Sequence, residues 1–229
     1  MKTLGLIGGT SWHSTVDYYR LINRGVHERL GEVNAARLVM FSLNMQEFKN
    51  IIDAGGWKAG ENYLVPFAQK LEAFGAEGLV MCANTPHIVA DGIRAAVSIP
   101  LIHIVEATAL VLAQKNVSTV GVLGTTFTME QPFYRDMLEK HGIKMIVPEP
   151  EDRAWINDNI FGELAAGVFR DETKQRYKEL MRELGERGAQ AVALACTEIP
   201  VLIKPEECPI PAFDTIAIHA NAAVEWMLG

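Results

Sequence analysis

Residues 189–200 read A-Q-A-V-A-L-A-C-T-E-I-P, and this stretch indicates the type of fold. Its small, apolar run from Ala191 to Ala195 ends abruptly at Cys196, Thr197 and Glu198. A short run of this kind predicts a strand that is buried on both faces of a parallel sheet. In open α/β sheets, ligands bind just beyond the carboxyl ends of such strands. The sequence therefore places Cys196 where chemistry is expected.

Composition narrows the class of protein. The 229 residues are 49% hydrophobic and 21% charged, which is ordinary for a globular enzyme. The formal charge of −7, with no block of like charge, argues against nucleic acid or an anionic membrane as partner. No apolar run approaches the ~20 residues that span a bilayer, and the N-terminus shows no signal-peptide cleavage site. Three cysteines form no disulfide framework, so we expect a cytoplasmic protein with reduced thiols.

Strands and helices alternate along the first half of the chain. Apolar residues at helical spacing, among them Tyr19, Ile22, Val26 and Leu30, predict a helix that Gly31 ends. Strands are predicted at 5–9, 37–43, 78–82 and 100–104, and further helices end at 75 and cover 85–97 and 105–114. This alternation predicts an α/β fold, doubly wound, with helices on both faces of a parallel sheet.

The pattern then repeats. Three short segments recur in the same order at nearly constant offsets: 5–10 at 121–126 (121 − 5 = 116), 75–77 at 188–190 (188 − 75 = 113), and 99–100 at 210–211 (210 − 99 = 111). An internal duplication explains this best. We expect two pseudo-symmetric α/β domains, 1–116 and 117–229, in which the C-terminal helix of the first half can cross over to the second. An active site is then expected in the cleft between the halves.

The repeat also shows which residues are equivalent at the two strand ends. Continuing the offset of 113 sets Ala83 against Cys196, whereas Cys82 falls opposite Ala195. Because side chains alternate faces along a strand, Cys82 should point away from the site if Cys196 points into it. The two halves would then contribute one thiol. Cys82 and Cys208 are interpreted as small buried hydrophobic residues.

The chain resembles the aspartate/glutamate racemase family. The resemblance extends over essentially the whole chain and rests on four motifs: G-G-T-S-W at 8–12, N-T-P-H at 84–87, C-T-E-I at 196–199, and D-T with I-H-A at 214–220. It implies a PLP-independent amino-acid racemase without cofactor or metal, frequently a homodimer. In this family two cysteines usually act on opposite faces of the α-carbon. This chain keeps Cys196 but has Ala83 at the first position, and alanine has no proton to give.

The resemblance and the location of the strand ends imply roles for the surrounding residues. Cys196 is the predicted catalytic acid/base, and a helix N-terminus behind it is expected to lower the pKa of its thiol. Glu198 would cap a helix or orient Cys196. The predicted substrate-binding residues are Thr10, Ser11, Ala83, Asn84, Thr85, Thr125, Thr126, Thr197 and Glu198. The Asn84-Thr85-Pro86 sequence could also simply begin a helix, with Thr85 as the N-cap residue and Pro86 first in the helix.

Other interpretations of single motifs are less favoured. His87 and His103 could donate protons, but histidines on apolar segments are more often structural. The N-terminal glycines do not match a dinucleotide fingerprint, since Thr10 and His13 stand where glycines are needed. Cysteine and histidine spacing shows no zinc pattern.

Three functions therefore stay open. The leading hypothesis is an amino-acid racemase, the second a single-cysteine decarboxylase or isomerase of the same superfamily, and the third a non-catalytic protein that binds an amino acid or carboxylate. The identity of the substrate is also open. Acid-specific members recognise the distal carboxylate partly from the segment after the second strand, where Ile51 and Ile52 would offer it no hydrogen bond and Lys49 is expected to face solvent.

Overall fold

The computed structural model describes all 229 residues as an α/β protein with two parallel sheets. The first sheet has the strand order β2-β1-β3, and the second has the order β5-β4-β6-β7. The chain packs as two units, Met1–Ile104 with His219–Gly229, and Val105–Ile218. No helix is long and apolar enough to cross a membrane. No group of three or more His, Cys, Asp and Glu residues is placed to hold a metal ion.

The first sheet is built from early strands and covered by long helices. In chain order its elements are β1 (Leu4–Gly8), α1 (Trp12–Leu30), β2 (Leu38–Ser42), α2 (Met45–Ala73), β3 (Gly78–Met81), a 3₁₀ turn (Thr85–Val89) and α3 (Ala90–Ala96). All residues of β1 and β3 are buried, as expected for central strands of a parallel sheet. The edge strand β2 exposes Met40, Phe41 and Ser42.

The second sheet has one more strand. The elements that follow in chain order are α4 (Ile104–Gln114), β4 (Thr119–Gly124), α5 (Thr126–Glu130), α6 (Pro132–Lys140), β5 (Lys144–Ile146), α7 (Pro150–Gly162), a 3₁₀ turn (Leu164–Ala166), α8 (Asp171–Glu186), β6 (Ala191–Ala195), α9 (Ile199–Leu202), a 3₁₀ turn (Pro205–Glu207), β7 (Ala212–Asp214) and α10 (Thr215–Leu228). The strand predicted from the opening stretch is β6, and all five of its residues are buried.

The predicted duplication has its counterpart in the strand pairing. Gly5 pairs with Leu79 in the first sheet, and Gly121 pairs with Val192 in the second. These partners are related by the offsets found in the sequence, 121 − 5 = 116 and 192 − 79 = 113. The register of the central strand pair is therefore the same in both sheets, residue for residue.

The turns that lead into β3 and β6 are also equivalent. Gly75 and Gly188 both have positive φ, 101° and 97°, which glycine adopts at little cost. Two residues later, the backbone N–H groups of Glu77 and Gln190 donate to the carbonyls of the equivalent residues Thr3 and Thr119 at the start of β1 and β4, at 2.8 and 2.9 Å. The two glycines found as a sequence repeat thus serve the same backbone function.

The predicted fourth strand of the first half is not formed. Over residues 100–104 only Leu101 makes a bridge, to Leu79, whereas the equivalent Ala212 belongs to the full strand β7. The carbonyl of Ile102 and the N–H of Ile104 are bound by histidine side chains, described below. Side-chain hydrogen bonds thus satisfy backbone groups that a strand ladder would otherwise use.

Two helices also differ from expectation. The helix that ends near Gly75 begins far earlier, at Met45, and has a break in helical geometry at Gly56 (φ 67°). In α1, Ile22 and Val26 are buried as predicted, whereas Tyr19 and Leu30 are exposed and Tyr18 is fully buried instead. Gly31 ends α1 as predicted.

The predicted domain boundary at 116/117 does not coincide with the two packed units. The reason is that α4 is counted with the second unit and most of α10 with the first. The halves 1–116 and 117–229 remain a prediction about the duplicated sequence.

Candidate active site

Cys196 follows the last residue of β6 directly. Its half-buried thiol donates a hydrogen bond to the carboxylate of Glu198, with Sγ 2.9 Å from Oε2. The backbone N–H groups of Thr197 and Glu198 also interact with the sulfur. The side chains of Thr197 and Glu198 are half-buried as well. The strand end therefore presents a thiol and a carboxylate that can share one proton.

The predicted lowering of the Cys196 pKa is wrong for the resting protein. Burial raises the pKa of this thiol well above its ordinary value, and the negative charge and hydrogen bond of Glu198 raise it further. The backbone N–H groups act in the opposite direction but do not outweigh these effects. The helix behind the thiol, Ile199–Leu202, has only four residues, so its dipole is small. Cys196 is consequently a protonated thiol at rest.

The other two cysteines have no comparable partner. Cys82 is fully buried, which raises its pKa. Cys208 is half-buried, and its thiol donates to the carbonyl of Lys204 at 3.4 Å; burial raises its pKa to about 11. All three cysteines are free thiols. Cys196 alone among them contacts a carboxylate side chain.

The strand end of the first unit carries no ionisable group at the equivalent position. Ala83 is half-buried, and its carbonyl accepts a hydrogen bond from the Nδ1 of His87 at 2.9 Å. Asn84 is buried and precedes the 3₁₀ turn that begins at Thr85. Thr85 is therefore not the N-cap residue, as one interpretation of the sequence had it, and no side chain caps this turn.

Thr10 and Ser11 lie after β1 and have different roles. The Thr10 side chain is buried, and its hydroxyl oxygen has no hydrogen-bond partner. The hydroxyl of Ser11 accepts from the N–H of Ser14 at 3.3 Å and so caps α1. Before them, Gly9 has a φ of 86°, and a Cβ there would overlap the backbone of Leu43. The hydroxyl of Thr10 thus has no hydrogen-bond partner within the protein, whereas that of Ser11 is engaged in the cap.

Thr125 and Thr126 follow β4 in the second unit. Thr125 is the N-cap residue of α5, and its hydroxyl accepts from the N–H of Thr128 at 3.4 Å. The backbone N–H of Thr126 donates to Oδ1 of Asn157 at 3.1 Å. These local bonds fix the loop after β4. They leave the half-buried side chain of Thr126 as its candidate binding group.

A pocket of about 320 Å³ in the second unit was not anticipated from the sequence. Its lining includes Trp155, Asp158, Asn159, Glu163, Val168 and Arg170. The side-chain oxygen of Asn159 is buried and has no partner. The sequence of α7 has no amphipathic pattern that could have indicated this pocket.

The buried Tyr177 lies next to Trp155, which lines this pocket. Its hydroxyl has no hydrogen-bond partner, and its ring lies 5.4 Å from that of Trp155. Burial raises the pKa of Tyr177 well above its ordinary value, and the charges of Cys196, Glu163 and Glu198 add to the effect. Cys196 and Trp155 also pack against the same hydrophobic cluster.

These observations define a class first: an α/β protein with two parallel sheets and a thiol hydrogen-bonded to a carboxylate at the carboxyl end of a parallel strand. Comparison of the sequence with models of known protein families identifies the family. Residues 7–223 match the model of the Asp/Glu/Hydantoin racemase family, and the chain belongs to this family.

Three known proteins are similar to this chain over most or all of its length. The broad specificity amino-acid racemase RacX of Bacillus subtilis is 27% identical over 168 residues, which are 72% of this chain and 71% of RacX. A crystal structure of a Yersinia pestis protein described as a candidate Asp/Glu racemase is 42% identical, with a TM-score of 0.95 over all of both chains. An aspartate racemase homologue from Pyrococcus horikoshii is 33% identical, with a TM-score of 0.89 over all of both chains.

Proposed function

We propose that this protein is a cofactor-independent amino-acid racemase in which Cys196 moves the α-proton of the substrate. The observation that carries the proposal is the hydrogen bond between the Cys196 thiol and Glu198, 2.9 Å long, at the end of a buried parallel strand. Membership of a racemase family supports the reaction type.

The pair has the properties that such a step needs. Transfer of the thiol proton from Cys196 to Glu198 leaves a thiolate beside a neutral carboxyl group. The thiolate then takes the α-proton: the Cα–H bond breaks, its electron pair stays on the substrate, and an S–H bond forms. Hydrogen bonds to the substrate carboxylate stabilise the resulting carbanion. The unpartnered hydroxyl of Thr10 is one candidate donor.

Return of a proton to the opposite face is the step without an evident donor. Alanine at position 83 cannot supply it, and both ring nitrogens of His87 are already engaged. A bound water is the simplest remaining proton source. Ala83 also favours a second candidate function, a single-thiol decarboxylase or isomerase, because protonation of one face is then sufficient.

For the side chain of the substrate, we propose the pocket beside Tyr177. Two carboxylates, Asp158 and Glu163, line it together with the unpartnered oxygen of Asn159. Arg170 lies 3.6 Å from Glu163 and 3.7 Å from Glu172, so its charge is balanced. A second substrate carboxylate would meet repulsion here, whereas a neutral or N–H-bearing side chain would not. Amino acids other than aspartate and glutamate are therefore the proposed substrates.

Incubation with single amino acids in D₂O tests the function. Racemisation with α-deuteration supports a racemase, release of CO₂ a decarboxylase, and binding without exchange a non-catalytic protein. Cys196→Ala should abolish exchange but keep the fold, since it removes one small, half-buried group. Exchange that survives in Cys196→Ala would exclude the proposed role of this thiol. A homodimer and a cytoplasmic location stay predictions.

A further inference from the structure

The histidine that follows the first strand end is held in one tautomer. The ring of His87 is buried, and its Nδ1 lies 2.9 Å from the carbonyl oxygen of Ala83 and 3.2 Å from that of Asn84. Carbonyl oxygens only accept hydrogen bonds, so Nδ1 carries the proton. On the other side of the ring, Nε2 accepts from the backbone N–H of Ile104 at 3.3 Å. His87 is therefore neutral, and both of its nitrogens are used.

A second histidine nearby is held in the opposite tautomer. Nε2 of His219 lies 2.9 Å from the carbonyl oxygen of Ile102 and must donate, while Nδ1 accepts from the hydroxyl of Tyr18 at 2.6 Å. The rings of His87 and His219 are 5.4 Å apart, and the His103 ring lies 4.6 Å from His87. His87 and His219 thus bind alternate backbone groups of residues 102–104, the segment that replaces a fourth strand.

We infer that His87 is a positioning residue, which fixes the carbonyls of Ala83 and Asn84 and ties this strand end to the segment before α4. The inference rests on the proposed function insofar as Ala83 and Asn84 face the substrate. Without His87, the two carbonyls lose their shared donor, and the turn that presents Asn84 loses its attachment to Ile104. Small displacements of groups that orient a substrate act mainly on the rate of the chemical step.

Two substitutions separate the two bonds. An asparagine amide N–H occupies a position close to Nδ1, so His87→Asn keeps the donor to Ala83 and loses the acceptor for Ile104. A glutamine amide reaches the position of Nε2, so His87→Gln keeps the acceptor and loses the donor. We expect kcat to fall at least tenfold in His87→Gln, with a smaller change in KM, and to stay within about threefold in His87→Asn.

Tyr18→Phe is the matched control, because it removes the buried hydrogen bond to His219 in the same cluster and leaves both ring nitrogens of His87 with their partners. It should lower the melting temperature and leave kcat unchanged. Equal kcat in His87→Gln and His87→Asn, measured below the unfolding temperature, would overturn the inference. So would a loss of kcat in Tyr18→Phe as large as that in His87→Gln.

A second measurement needs no substrate. Long-range ¹H–¹⁵N correlation spectra of histidine-labelled protein should show the Nδ1–H tautomer for His87 and the Nε2–H tautomer for His219, both neutral at pH 6. A charged His87 at that pH, or the Nε2–H tautomer, would overturn the inference even if His87→Gln fails to fold. If the wild type racemises no amino acid, the proposed function fails, whereas the tautomer result still decides the backbone role of His87.

Discussion

Replacing Glu198 with glutamine should change the reactivity and the activity of Cys196 in opposite directions. The substitution keeps the size of the side chain but removes the negative charge next to the sulfur, with which Cys196 makes its 2.9 Å hydrogen bond. Since that charge raises the pKa of the thiol, its removal should increase the fraction of thiolate at a given pH. The proton acceptor proposed for catalysis is lost at the same time.

The size of the effect follows from the distance. Two unit charges 2.9 Å apart repel by about 1.4 kcal/mol even at the dielectric constant of bulk water. This energy corresponds to about tenfold in the population of thiolate. A thiolate of lower pKa is also a weaker nucleophile, so the net gain in alkylation rate is about threefold to fourfold. Partial burial of the pair makes this a lower bound.

The assay is alkylation by iodoacetamide at pH 8, with peptide mapping of each cysteine, beside measurement of turnover. We expect Glu198→Gln to alkylate at Cys196 at least threefold faster than wild type and to lose about 10²-fold or more in turnover. Glu186→Gln, an exposed change in the last turn of α8, serves as control and should alter neither rate. A folded Glu198→Gln protein whose Cys196 reacts no faster would refute the proposed effect of the carboxylate on the thiol.

Three further predictions concern other parts of the chain. Ala83→Cys should raise racemisation in both directions, because it supplies a second thiol at the equivalent strand end; optical rotation and α-deuterium exchange measure this. Amino acids with neutral or N–H-bearing side chains should be preferred to aspartate. Asn159→Leu should weaken this preference, as measured by KM values. Between pH 6.5 and 4, His219 should lower the free energy of unfolding by up to about 1.4 kcal/mol per pH unit, because burial lowers its pKa to about 4 and only the unfolded chain binds its proton in that range. Denaturant titrations measure the slope, and His219→Gln should reduce it.

Each of these has a clear contrary result. If Ala83→Cys folds and binds substrate but both rates stay at the wild-type level, position 83 does not act on the substrate carbon. Strong preference for aspartate over all neutral amino acids would show that the pocket lined by Asp158 does not receive the side chain. An unfolding free energy that is flat from pH 6.5 to 4 would mean that His219 is not buried as a neutral group.

The parts of the fold that repeat were the parts that could be predicted. Two copies of one pattern specify the same local geometry, and a run such as Ala191–Ala195 can be satisfied only where both faces of a strand are covered. The segment 100–104 was mistaken for a strand because its apolar residues suit one. What prevents it is the pair His87 and His219, which lie 17 residues before and 115 residues after position 104 at its end (104 − 87 and 219 − 104). Local patterns carry no information about such distant partners.

The chemistry of the site was predicted only in outline. Motif and strand end located Cys196, but the direction of its pKa shift depends on where the carboxylate of Glu198 lies and how far the thiol is buried. Neither follows from spacing. Lys49 illustrates the reverse case: it is exposed, as its type suggested, and it also pairs with Asp53 one helical turn away.

The position of Gly9 determines how the protein would lose its structure if this residue were replaced. A side chain there would push against Leu43, which immediately follows the edge strand β2 and donates its N–H to Gly8 at 2.9 Å. Displacing this residue would loosen β2, whose Met40 and Phe41 are already exposed to solvent. A freed apolar strand and the uncovered side of β1 are templates for pairing between chains. Variants at Gly9 would therefore be lost to aggregation before any defect in catalysis could be seen.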